Sequence, residues 1–147
     1  MLGPMITTAT DHTTSTTTSG DVARRFVDDI LNHGRFDVLA EIVHPNYRYE
    51  GPDGTQLHGL RELEHLIRGF HGGFSDFHAE LTSTVESGEH VAMTMVLTGT
   101  HDGEFEGLVP TGARLRLPIA IFTRVEAGRI VDDREFYDTA TLLAQLS

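Results

Sequence analysis

The feature that most constrains this chain is a change of period partway along it. Over residues 22–31, Val22, Ala23, Phe26, Val27, Ile30 and Leu31 recur at three- and four-residue spacing, the pattern of an amphipathic helix. From residue 77 onward the apolar residues alternate with polar ones instead, over residues 77–85, 91–100, 114–125 and 129–137. Ser87-Gly88-Glu89 and Glu126-Ala127-Gly128 are short enough to return the chain as hairpins. Helices first and hairpin-linked strands afterwards is an α+β order, in which N-terminal helices pack on one face of a curved, mostly antiparallel sheet. A sheet bent around a few helices leaves an apolar-lined cavity, the usual place for a small-molecule site.

The remaining segments fit that frame. Residues 1–19 are rich in Thr and Ser, with almost nothing apolar after Ile6, and cannot offset the entropy of ordering them. A disordered tail is expected there, followed by one domain over residues 20–147. Ser19 or Asp21 can cap the first helix and Gly34 can end it. A short second helix is expected from Asp37, with Val38, Leu39, Ile42 and Val43 inward and Pro45 as its stop. Residues 47–50 read as a short strand with Tyr47 and Tyr49 on one side, closed by the turn Gly51-Pro52-Asp53-Gly54. A third helix over residues 60–70 should break at His71-Gly72-Gly73, and residues 139–146 should add one or two helical turns.

Composition narrows the function. Without cysteine, disulfides, zinc-thiolate sites and a Cys nucleophile are excluded. Asp and Glu number 22 against 11 Lys and Arg, and a formal charge of −11 repels both phosphate backbones and anionic membrane surfaces. Neither nucleic acid nor membrane is therefore an expected partner. No apolar run is long enough for a span and no leader-like apolar stretch opens the chain, so a cytoplasmic protein is expected. None of the His residues falls in a metal-ligand spacing, and no metal site is expected.

One motif is more specific. Gly99-Thr100-His101-x-Gly103-x-Phe105-x-Gly107-x-x-Pro110-Thr111-Gly112 stands beside Arg124-x-x-x-Gly128-Arg129-Ile130-Val131 and the terminal Asp138-Thr139 and Gln145-Leu146. Together they resemble the SnoaL-like polyketide cyclase (ester cyclase) family of the nuclear transport factor 2-like superfamily. The likeness spans residues 22–146, and Phe74-Ser75-Asp76 lies where the family favours Phe-Pro-Asp. It implies a cone-shaped α+β barrel, a homodimer or higher homo-oligomer through the convex sheet face, no cofactor, and a small apolar, polyketide-derived substrate. The family's aldol cyclases place an acid on the last strand and a His on the preceding one. Carried over, the acid falls on Glu135 and the His position on Ile121, while Arg134 replaces the usual Trp. The implied activity is acid/base-catalysed cyclisation, aldol-type or related, or isomerisation. Ile121 also leaves open an epoxide-opening or dehydrative cyclase or hydrolase, and a non-catalytic ligand-binding auxiliary protein.

Residue chemistry supplies the candidate site. On the last strand Asp133, Glu135 and Tyr137 share one face, and Asp132, Arg134 and Phe136 the other. The resemblance turns the face of Glu135 toward the cavity. Two carboxylates two residues apart on a strand lie roughly 6.5–7 Å apart, close enough to raise one another's pKa where water is excluded. A carboxylate raised in this way can take a proton next to a carbonyl. Glu135 and Asp133 are the expected catalytic pair; the plainer reading of Asp133 is a solvated acid beside an Arg. Tyr47 and Tyr49 are candidate phenolic donors to an enolate oxygen, or half-buried strand residues. Ile119, Ile121 and Thr123 form an apolar wall, and Tyr137 accompanies Glu135. His101 is either a base beside Asp102, Glu104 and Glu106 or a loop-ordering hydrogen-bond partner.

Overall fold

The computed structural model describes residues 16–147. Most of the expected tail over residues 1–19 therefore lies outside the described residues. Helix α1 (Ser19–Arg25) opens on a reciprocal cap: Thr18 Oγ1 accepts from the Asp21 amide at 3.0 Å, and the Asp21 carboxylate accepts from the Thr18 amide at 3.1 Å. The cap is thus Thr18 rather than Ser19 or Asp21. Ser19 instead donates to the Gly88 carbonyl at 2.8 Å, fastening the helix start to a hairpin. The helix then continues as a π-helical segment, Phe26–Asn32, whose hydrogen bonds reach five residues rather than four. Two turns of three- and four-residue apolar spacing suit either winding, so the sequence pattern does not separate them.

A 3₁₀ turn (Phe36–Val38) leads into α2 (Leu39–Ile42), and the chain becomes extended at Val43. Pro45 is not the helix stop; it lies inside strand β1 (Val43–Glu50). Pairing of β1 with the last strand is irregular between Val43 and Arg48, so a proline there removes no regular ladder bond. A short edge strand, β2 (Gln56–His58), was not expected. Helix α3 (Gly59–Gly73) runs through the expected break at His71-Gly72-Gly73, burying Leu63 and Ile67. Then come β3 (His78–Ser87), β4 (His90–Thr100), β5 (Arg114–Glu126), β6 (Arg129–Phe136) and α4 (Thr139–Gln145), the last capped by Asp138.

The strands form one sheet in the order β2-β1-β6-β5-β4-β3. Every neighbouring pair is antiparallel except β1 and β6. The sheet is curved but unclosed, with β2 and β3 as edges, so the expected barrel is an open cone. Alternation on β5 buries Leu115, Leu117, Ile119, Ile121, Thr123 and Val125 on one face. Two apolar clusters result, one joining β3–β5 to Ala23, Val27, Phe74, Phe105 and α4, the other among α1, α2, α3, β1 and the hairpin end of β5 and β6.

The Gly-rich stretch over residues 101–113 folds back under the end of α3. Asp102 and Gly103 amides both donate to the Gly73 carbonyl at 3.1 Å. A Cβ on Gly103 would lie 2.0 Å from the Gly72 carbonyl oxygen, so only glycine allows this approach. Phe105 packs beneath, with its ring 5.1 Å from Phe70 and 5.3 Å from Phe74. Gly103 is therefore a packing requirement where the loop closes one end of the fold, whereas Gly107 and Gly112 have open space and supply positive φ.

Candidate active site

Parallel pairing sets Tyr49 beside Asp133 and Arg48 beside Asp132. Tyr47 and Tyr49, two residues apart, share the inward face of β1, as Asp133 and Glu135 share that of β6. Tyr47 donates to Asp133 Oδ2 at 2.6 Å, and Tyr49 donates to Glu135 Oε1 at 2.5 Å. From the other side Thr123, in register with Asp133, donates to Asp133 Oδ1 at 2.5 Å. Ile121 is in register with Glu135, as an apolar residue facing an acid.

Asp133 is buried at 3% exposure. Glu135 is half-buried as a residue, but its carboxyl group is withdrawn from water. Burial pushes Glu135 up to about 7; the Tyr49 hydrogen bond pulls it back, while the charges of Asp133 and Asp53 raise it further. Burial likewise pushes Asp133 up to about 6, against hydrogen bonds from Thr123 and Tyr47 that favour its ionised form. Both phenols of the pair are held well above the usual range, by burial first and by the carboxylates next, so they remain hydrogen-bond donors. In this arrangement each tyrosine spends its single hydroxyl hydrogen on a carboxylate, not on a substrate oxygen as the sequence suggested.

Asp133 and Glu135 form the polar end of a cavity of about 60 Å³. Its walls join the two apolar clusters: Phe26, Val27 and Leu31 of α1 and its π-helical extension, Ile67 and Phe70 of α3, Met93, Met95 and Leu97 of β4, and Ile119 and Ile121 of β5. A wider depression of about 570 Å³ lies across the outer face of β1, β6 and β5. Two of its three arginines are paired, Arg124 with Asp132 and Glu126 and Arg134 with Glu50, and the one perturbed acid in its lining, Asp133, turns its carboxyl inward to Tyr47 and Thr123. The inner cavity is the candidate site.

Tyr137 follows Glu135 on the same side and is half-buried; burial and then the charges of Glu135, Asp53 and Glu106 push it up to about 12. It is not among the residues lining the cavity. Nor is His101, which is fully buried, with Nδ1 3.0 Å from Thr111 Oγ1 and its ring 5.5 Å from Phe74. Its Nε2 has no hydrogen-bond partner among the described residues. The loop-ordering reading describes where His101 stands, and the base reading does not, because the imidazole faces packed aromatic residues instead of the cavity.

Sequence reasoning missed three contributors. Thr123 belongs to the expected apolar wall, yet a single hydroxyl on an otherwise aliphatic inward row of β5 is the signal for a hydrogen bond. Gly51 is a turn residue by sequence, and a Cβ there would sit 3.0 Å from the Tyr49 hydroxyl. Asp53, in the same turn, accepts from the Thr55 amide and hydroxyl, which hold its carboxyl below the usual range, and its charge bears on Glu135, Tyr49 and Tyr137.

Residues 21–146 match the sequence profile of the SnoaL-like polyketide cyclase family. The chain belongs to this family. Among curated SnoaL-like relatives, nogalonic acid methyl ester cyclase of Streptomyces nogalater is 30% identical over 118 residues, covering 79% of this chain and 88% of that protein. Aklanonic acid methyl ester cyclase DnrD of Streptomyces peucetius is 29% identical over 129 residues, covering 86% of this chain and 88% of that one. In fold, this SnoaL-like chain superposes on a SnoaL-like protein from Jannaschia sp. CCS1 with a TM-score of 0.81, at 21% identity over 88% of this chain and 91% of that one.

Proposed function

We propose that the chain is a cofactor-independent cyclase that tailors a polyketide-type metabolite, with Glu135 as its acid/base. The observation that carries this is a carboxyl group poised near neutrality at the polar end of an apolar cavity. In aldol-type closure, Glu135 takes a proton from the carbon next to a carbonyl; the enolate attacks a second carbonyl within the same molecule. The same carboxyl then returns the proton to the new alkoxide, so one group serves as base and acid in turn and the cycle closes. Tyr49 orients the carboxyl by holding Oε1 and leaves Oε2 for the substrate.

The cavity of about 60 Å³ is small beside the roughly 300–1,000 Å³ of most ligand sites, so binding displaces side chains. The half-buried Leu31, Leu66, Phe70 and Phe77 are wall residues with room to move. The names of the two cyclases above supply the first substrates to try, aklanonic and nogalonic acid methyl esters. Turnover by the chain that falls at least a hundredfold in Glu135→Gln supports the reading; equal turnover by both removes Glu135 from the mechanism. A ligand-binding protein without turnover is the competing reading, favoured by Ile121 opposite Glu135, and tight binding with no product from either form would establish it.

We also propose that the outer sheet face pairs with a second copy. Val85, Phe122 and Phe136 are exposed there at 68%, 53% and 45%, amid both signs of charge. Phe122→Glu should then halve the mass in solution, and an unchanged mass would remove the proposal.

A further inference from the structure

The two inner carboxyls of β6 differ in how they are held. Asp133 accepts on both oxygens, from Tyr47 at 2.6 Å and Thr123 at 2.5 Å. Glu135 accepts on Oε1 alone, from Tyr49. A hydrogen bond to the ionised form favours that form, so the doubly held carboxyl gives up its proton first. Once ionised, it is a like charge on the same wall, two residues away, and it disfavours ionisation of the second group. The order in which the pair ionises is therefore written in two hydroxyls, those of Tyr47 and Thr123.

Their placement follows from the sheet. Thr123 is in register with Asp133 across β5 and β6. Tyr47 lies two residues before Tyr49, the residue paired with Asp133 on β1. All three groups are buried, at 3%, 1% and 3% exposure for Thr123, Tyr47 and Asp133, so the hydroxyls have no competing water. The other titratable groups acting on the pair are Tyr49 of β1, Asp53 of the following turn and Asp132 beside Asp133, while Tyr137 is itself shifted by the charge of Glu135. Of these, Asp53 and Asp132 add negative charge, which reinforces retention of one proton by the pair.

We propose that Asp133 is a positioning residue and not a second catalytic acid: held as a carboxylate by Tyr47 and Thr123, it keeps the cavity's exchangeable proton on Glu135. Its consequence for turnover rests on the reading of Glu135 as acid/base, but the order of ionisation stands by itself and is measured without substrate.

The test is an NMR titration of the full chain with ¹³C-labelled carboxyl groups, comparing the wild type with Asp133→Asn and Thr123→Val. With the like charge gone, the Glu135 midpoint in Asp133→Asn should fall by roughly one pH unit. In Thr123→Val, Asp133 loses one donor, its midpoint rises, and the gap between the two groups narrows. Where a substrate is turned over, the acid limb of kcat/KM in Asp133→Asn should move down with the Glu135 midpoint, a shift that a merely structural role would not produce. A Glu135 midpoint that stays in place or rises in a folded Asp133→Asn protein overturns the proposal. If that variant does not fold, Thr123→Val decides: an unchanged gap overturns it. Full turnover by Glu135→Gln would instead remove the catalytic reading and leave the measured ionisation order intact.

Discussion

On the outer face of β6, Asp132 lies 2.9 Å from the Arg124 guanidinium and Arg134 lies 3.2 Å from Glu50, all in contact with water. On the inner face, one residue away in each case, Asp133 and Glu135 have hydroxyl partners from Tyr47, Thr123 and Tyr49. An exposed ion pair is worth about 0–1 kcal/mol and settles the charge state of its members. A buried carboxyl among neutral donors pays a large desolvation penalty when it ionises, and so exchanges its proton near neutrality. A single strand thus carries a solvated, charge-paired side and a side whose charge is conditional. Chemistry belongs to the second.

The largest effect that can break this comparison is on turnover. Glu135→Gln should lower kcat by about 10²–10⁴, whereas Arg134→Gln, on the outer face, should leave it within about twofold. Comparable losses in both, measured at saturating substrate, would mean that the two faces do not divide the work.

Next comes stability against pH. Folding raises Glu135 from 4.5 to about 7 and Asp133 from 3.8 to about 6. Each therefore binds its proton more tightly in the folded chain, and its contribution is full below about pH 4 and lost as pH rises past 6 to 7. Asp133→Asn with Glu135→Gln should flatten that decline, which amounts to on the order of 3 kcal/mol per group for shifts of this size. Urea denaturation at pH 4 and pH 8 measures it; equal declines in both proteins would show that neither carboxyl is buried at a penalty.

Tyr49→Phe removes the donor that favours ionised Glu135, so the Glu135 midpoint should rise above 7 and the rate at pH 7 should fall roughly tenfold. A pH–rate profile with an unmoved acid limb would detach Tyr49 from the carboxyl. The smallest effect is expected from Gly51→Ala, whose Cβ would stand 3.0 Å from the Tyr49 hydroxyl and 3.2 Å from a ring carbon. A few tenths of an ångström of displacement should lower the rate about threefold in the same direction as Tyr49→Phe.

The legibility of the sequence follows the same division. Period-two alternation on β5 and β6 sorted the residues by face, because burial of one face leaves no freedom of register, and the family resemblance turned the face of Glu135 inward. The same resemblance set Glu135 against Ile121, as the ladder has it. What alternation cannot show is the partner of an inward polar group, since that depends on a strand far away in sequence. Asp133 meets Tyr47 across 86 positions, through a parallel pairing that no local pattern announces. His101 stayed open between two readings for the reverse reason: its acidic neighbours in sequence suggested a base and its place in a Gly, Pro and Thr motif a loop-ordering bond, and the loop turns the ring onto Phe74 and Thr111. The π-helical winding of Phe26–Asn32 and the strand position of Pro45 were hidden because spacing and composition were compatible with regular helix.

The central claim is that the inner face of β6 holds a glutamate whose proton is exchangeable at neutral pH, and the most direct test is the ¹³C carboxyl titration of Glu135 in the intact wild-type chain. The account predicts a midpoint near 7. A midpoint near 4.5, that of a solvated glutamate, would contradict it.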